Sequence, residues 1–290
     1  MFICLYKRTA ALVLFFSVWV LAADVSAESN ITNKISTASQ GDHLVFGFLP
    51  MESPVSLFKR FAPLREYLSE QLTREIRLET AKDFPTFARR TLERRYDIVF
   101  TAPHMALLAL DSDKYEVAAT FIKPLKAVVV VNEKSKLHTA KDLNGKTIAT
   151  PPAQAIVTMV GINYLGRQGI KTERFTTYKT HNAAYAAVLG GEVDAAIVSN
   201  FMAMKAISKN TPLKIIASSD PFPGIGILVA KDLPEATRNH IKKTFWGMIE
   251  LPYGKKILKQ IAQPGYMEAS KRPFEVLRPF AQASLNSQLQ

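Results

Sequence analysis

From Leu44 onward, short apolar runs alternate with segments whose apolar residues recur every three or four positions. Leu44-Val45-Phe46-Gly47-Phe48-Leu49 reads as a buried strand stopped by Pro50, and Leu57, Phe61, Leu64 and Leu68 mark one face of a following helix. Residues 76–80 predict a second strand, 84–95 a helix, and Asp97-Ile98-Val99-Phe100 a third strand. This is a βαβαβ succession, which requires a parallel sheet with right-handed crossovers.

The same grammar returns further along. Strands are predicted over 127–132 and 147–150, a helix over 155–167, a short strand over 174–177, a helix over 181–189 and a strand over 194–198. Both halves place an aspartate directly before an apolar strand, in Tyr96-Asp97-Ile98-Val99 and Val193-Asp194-Ala195-Ala196. The expectation is an α/β fold of two doubly wound lobes, one from 44–122 plus 225–290 and the other from 126–218. Another strand over 225–230 and helices near 234–250 and 253–262 complete the first lobe. Two chain crossings, near 122–126 and 218–224, then form a hinge.

The N-terminus changes the picture of where such a fold resides. Lys7 and Arg8 precede an apolar run over 10–23. At about 14 residues it is short of the roughly 20 that span a bilayer. Val25-Ser26-Ala27 then supplies small residues in a cleavage-site pattern, so residues 1–27 read as a secretory signal peptide cut after Ala27, placing the protein in the periplasm; the alternative is a retained anchor. The sole cysteine, Cys4, falls in that segment, which removes disulfides and thiol chemistry from the mature chain.

A net charge of +12 raises the question of a polyanionic partner. The basic residues are spread along the whole chain. The densest group, Arg89, Arg90, Arg94 and Arg95, sits where Phe84, Phe87, Ala88, Thr91 and Leu92 have helical spacing, so it reads as a solvated helix face. No nucleic acid is expected; a positive surface can still steer a small anion.

Enzyme signatures are missing. Gly145-Lys146-Thr147 lacks the first glycine of a phosphate loop, with Ala140 in its place, and the lysine precedes a strand rather than a helix. There is no G-x-S-x-G or H-E-x-x-H pattern, and the histidines at 43, 104, 138, 181 and 240 lack metal-ligand spacing. No cofactor and no metal are expected.

In parallel α/β sheets, ligands lie at the carboxyl ends of the strands, where helix N-termini offer unpaired N–H groups. Those ends carry Ser53, Thr101, His104, Gln154, Ser199 and Asn200, and the helix start at 180–182 adds His181 and Asn182. Phe84 is either core or a wall of the pocket.

The residues Gly47-Phe48-Leu49-Pro50, Tyr96-Asp97-Ile98-Val99, Asp142-Leu143-Asn144-Gly145-Lys146-Thr147 and His181-Asn182-Ala183-Ala184 resemble a known family. So do Ala187-Val188-Leu189-Gly190-Gly191-Glu192-Val193-Asp194 and Pro221-Phe222-Pro223. Over nearly all of 44–280 the chain is similar to the phosphate/phosphite/phosphonate ABC-transporter binding proteins, of the type II periplasmic binding fold. The resemblance implies a monomeric receptor that closes on a small anionic ligand and delivers it to an inner-membrane ABC permease. A sensory protein reporting to a membrane histidine kinase is the alternative use of the same fold, and a periplasmic enzyme of small oxyanions a third reading.

Departures from the family bear on the ligand. Phosphonate binders carry a Ser-Thr-Ser-Gly type segment whose hydroxyls hold phosphonate oxygens, whereas this chain has Pro152-Ala153-Gln154-Ala155-Ile156-Val157. Phe84 and Thr101 stand where tyrosines are expected. The family's histidine is matched by His181, and His104 is an addition. The implied ligand is a small anion or polar organic molecule contacted by His104, Gln154 and His181, with simple alkylphosphonates bound weakly. A histidine donating in its charged form would make affinity fall as pH rises through about 6 to 7.

Overall fold

The computed structural model describes residues 43–286, so the expected signal peptide lies outside the described residues. The first half runs β1 (His43–Phe48), α1 (Pro54–Leu72), β2 (Glu75–Thr80), α2 (Phe84–Leu92), β3 (Ile98–Thr101), α3 (Pro103–Asp111) and β4 (Tyr115–Phe121). The chain continues through β5 (Ala127–Asn132), β6 (Thr147–Thr150), α4 (Ile156–Arg167), β7 (Arg174–Thr177), α5 (His181–Leu189), β8 (Ala195–Ser199), α6 (Asn200–Ile207) and β9 (Leu213–Ser218). It ends with β10 (Gly226–Ala230), α7 (Glu235–Gly247), α8 (Pro252–Gln260), β11 (Tyr266–Met267) and α9 (Arg278–Asn286).

Two sheets form, in the orders β11-β4-β10-β3-β1-β2 and β7-β6-β8-β5-β9. The fold is α/β with two sheets, but neither sheet is wholly parallel. β2-β1-β3 and β7-β6-β8 are parallel as the βαβαβ pattern requires, whereas β10 and β5 enter beside β3 and β8 in the opposite direction. A strand buried on both faces looks the same whichever way it runs, so the pattern could not show this.

The halves therefore share a five-strand order, and they share a local device. The Asp97 carboxylate accepts the Val45 N–H of β1 at 2.8 Å, and the Asp194 carboxylate accepts the Thr147 N–H of β6 at 2.9 Å. Each aspartate ties the start of its own strand to the neighbouring parallel strand, which explains the recurring aspartate in the sequence. Gly47 and Tyr96 also meet: a Cβ at Gly47 would lie 2.4 Å from the Tyr96 ring. Tyr96 stacks in turn on Phe87, with ring centroids 5.4 Å apart. Only glycine lets that ring lie against β1.

The arginine group is not a plain solvated face. Arg89 pairs with Glu93 and Arg95 with Glu79 on the surface, but Arg94 lies beyond the helix with a φ of +67°. Its half-buried guanidinium donates to Asp97, Asp232 and the Tyr96 carbonyl, anchoring the turn into β3.

The crossings pair with one another. Leu125 and Phe222 exchange two backbone hydrogen bonds of 2.9 Å, and Ser219 and Ala127 are bonded beside them. Helices α7 and α8 pack on the first sheet through Ile241, Phe245, Ile257 and Leu258. The C-terminal segment touches both halves: Phe274 lies in the core against α3, while Leu277 and Phe280 pack into the core under the second sheet.

Candidate functional site

The carboxyl ends of the parallel strands collect six helix starts. Four are closed by a side chain from their own sequence. Ser53 accepts from Ser56 N–H, Asp83 from Thr86, Thr180 from Ala183 and Ser199 from Met202. The other two, α3 and α4, begin at Ala102 and Ala155 with no side-chain cap. One uncapped start thus falls in each half. The N–H groups and dipole at such a start are suited to a negative oxygen.

At the second sheet, His181 opens α5 partly exposed. Its Nδ1 accepts the Ser199 N–H in a long bond of 3.4 Å, which puts the ring proton of the neutral imidazole on Nε2. Burial by the surrounding atoms lowers its pKa to about 4, so the ring is neutral near pH 7. Asn182 is exposed, with its Oδ1 accepting from the Tyr185 hydroxyl. Gln154 is also exposed and free to present its amide just ahead of α4.

At the first sheet, His104 is sealed at the start of α3, 1% exposed, with Nδ1 lacking a hydrogen-bond partner. Desolvation lowers its pKa to about 4 as well. Both rings are therefore neutral near pH 7 in the free protein. Thr101 is equally buried; its hydroxyl has no partner, and it lines a small cavity with Phe87, Met105 and Leu108 between α2 and α3. Phe84 is half-buried against the same core.

The structure gives several candidates a structural task. Ser53 caps α1 and donates to Ser56. Ser199 caps α6 while its backbone holds His181. Asn200 accepts the Lys126 N–H at 3.1 Å and donates to the Pro124 carbonyl at 3.2 Å, so its amide fastens a crossing to a helix start. At the same junction Phe201 meets Phe121 edge-on at 6.1 Å, joining the two halves. In the sequence Phe121 and Phe201 are ordinary apolar positions, and no pattern marks Lys126.

Among the described residues no group of three or more His, Cys, Asp or Glu side chains is arranged to hold a metal, and no helix is long and apolar enough to cross a membrane.

Comparison with known proteins puts this geometry in context. The family model described as "ABC transporter, phosphonate, periplasmic substrate-binding protein" matches residues 46–274. The phosphonates-binding periplasmic protein of Escherichia coli (strain K12) is 23% identical over 270 residues, covering 87% of this chain and 80% of that protein. PhnD1 from Prochlorococcus marinus (MIT 9301), solved in complex with methylphosphonate, superposes with a TM-score of 0.73 at 18% identity. It covers 84% of this chain and 98% of its own. A binding-protein component of a phosphonate ABC transporter from Pseudomonas aeruginosa gives a TM-score of 0.69 at 17% identity, covering 85% and 89%.

Proposed function

The chain belongs to the periplasmic substrate-binding proteins of phosphonate ABC transporters, and from that premise we propose that it captures a small oxyanion between its two sheets and hands it to an inner-membrane ABC permease. The observation that carries the reading is the pair of uncapped helix starts, α3 and α4, one at the ligand-bearing edge of each sheet. Residues 44–122 with 225–290 act as one lobe and 126–218 as the other, and the paired crossings act as the hinge on which they close. Both lobes come from one chain, so a monomer suffices. The protein is exported, with cleavage after Ala27, and it performs no chemistry on what it binds.

His181 and Gln154 are the side chains that contact the ligand in this proposal, His181 donating from Nε2. The loop before α4 holds the oxyanion through backbone N–H groups, because Pro152, Ala153 and Ala155 bring no hydroxyl. Two missing hydroxyl donors weaken methylphosphonate binding by a factor on the order of 100. The ligand is therefore a different small oxyanion.

A thermal-shift panel of phosphite, inorganic phosphate, sulfate, methylphosphonate and small organic acids, followed by calorimetry, tests this. A ligand at 100 times its Kd raises apparent stability by about 2.7 kcal/mol. At least one oxyanion should do so, and methylphosphonate should bind more weakly than it. Submicromolar methylphosphonate binding overturns the ligand assignment, and a panel without any oxyanion hit overturns capture.

A further inference from the structure

Lys126 lies at the junction where the second sheet meets the crossing. Ala127, the next residue, stands opposite Ser199 in the antiparallel pairing of β5 with β8, so Lys126 sits at the sheet edge where the helix starts gather. Its backbone is held on both sides: its N–H donates to Asn200 Oδ1 at 3.1 Å, and its carbonyl accepts the Asn200 N–H at 3.0 Å. A residue pinned this way has a fixed side-chain origin.

Strand alternation says which face that side chain takes. Ala127, Val129 and Val131 pack into the core with α4, while Val128 and Val130 pack with Ala184 and Ala187 of α5 and Ala203 and Ala206 of α6. Lys126 precedes Val128 by two residues, so it shares the face of α5. That is the helix His181 opens, and His181 is bonded to Ser199, the residue before Asn200.

Its charge is what sets Lys126 apart. Of the other cations near the strand ends, Arg60 pairs with Glu52, Lys82 pairs with Asp83 and the partly buried Arg90 donates to the Thr80 carbonyl, while Lys123 and Lys179 are exposed. Lys126 is partly buried and, among the described residues, has no carboxylate within ion-pair distance. A lysine ammonium without a carboxylate partner is available to complete the charge of a bound anion. The other groups at this edge are neutral or, like Lys123 and Lys179, exposed to solvent: His181 is held uncharged and the loop before α4 lacks hydroxyls.

We propose that Lys126 is the charge-neutralising residue of the binding site, donating from Nζ to an oxygen of the small oxyanion that His181 also contacts. This rests on the capture reading above. It assigns affinity for the negative charge to the crossing, so that ligand binding engages the hinge directly.

Calorimetry with phosphite, inorganic phosphate and methylphosphonate tests it on the wild-type chain and on Lys126→Met and Lys126→Arg. Loss of one charge-assisted bond predicts that Lys126→Met weakens the tightest of the three by roughly 10- to 100-fold, with Lys126→Arg recovering most of the loss. Unchanged affinity in a folded Lys126→Met overturns Lys126 and leaves capture standing. Equal losses in the methionine and arginine variants also overturn it, because they show a packing role. If the wild-type chain binds none of the three and no other anion of the panel above, capture and Lys126 fall together.

Discussion

Replacing His104 with leucine isolates the cost of keeping a histidine neutral inside the protein. The ring is 1% exposed, and burial lowers its pKa from 6.5 to about 4. Below pH 6.5 the unfolded chain takes up a proton that the folded chain does not, so the folded state loses stability as pH falls. The loss runs from about pH 6.5 down to about pH 4, where the folded form also protonates. A shift of this size corresponds to a ceiling of about 3 kcal/mol, and to about 2 kcal/mol by pH 5. Urea titrations at pH 7 and pH 5 on the wild type and His104→Leu measure it. The variant should show a pH-dependent loss smaller by about 2 kcal/mol, His181 and the carboxylates being common to both. Identical losses would mean that His104 protonates in the folded state at the ordinary pH, and the sealed, neutral imidazole would be refuted.

Further substitutions probe the residues beside it. Thr101→Val should leave stability unchanged within about 0.5 kcal/mol or raise it, because its hydroxyl has no partner, and ligand affinity should not move; a fivefold weaker affinity would return Thr101 to the site. Asp97→Ala should cost about 3 kcal/mol in urea denaturation, since it strips the Val45 N–H and one partner of the half-buried Arg94, whereas Asp232→Ala at the exposed end of that cluster should cost under about 1 kcal/mol. Equal costs would contradict the role given to Asp97.

How much of this was legible in the sequence follows from what each segment must satisfy. Strands β5, β6 and β7 fall where the pattern put them, because short apolar or β-branched runs bounded by turn residues leave little choice. β4 carries no clear strand signal: Tyr115-Glu116-Val117-Ala118-Ala119-Thr120-Phe121 mixes a charge and alanines into a strand whose Glu116 pairs with Arg238 and Lys242 of α7. That strand is made by tertiary contact rather than by local preference. The reversed direction of β5 and β10 was invisible for the reason given above. Helix starts were found because prolines, serines and histidines mark them, but the sequence could not say which polar side chains are already engaged. Asn200 looks like a ligand residue in one dimension and fastens Lys126 and Pro124 in three.

Closure of two lobes on a small oxyanion is the account's central claim, and small-angle X-ray scattering tests it most directly. The purified mature chain is measured alone and then saturated with the oxyanion that binds most tightly in calorimetry. The radius of gyration should fall on saturation, as the segments 122–126 and 218–224 bend and the two sheets approach. An unchanged radius at proven saturation would contradict the account.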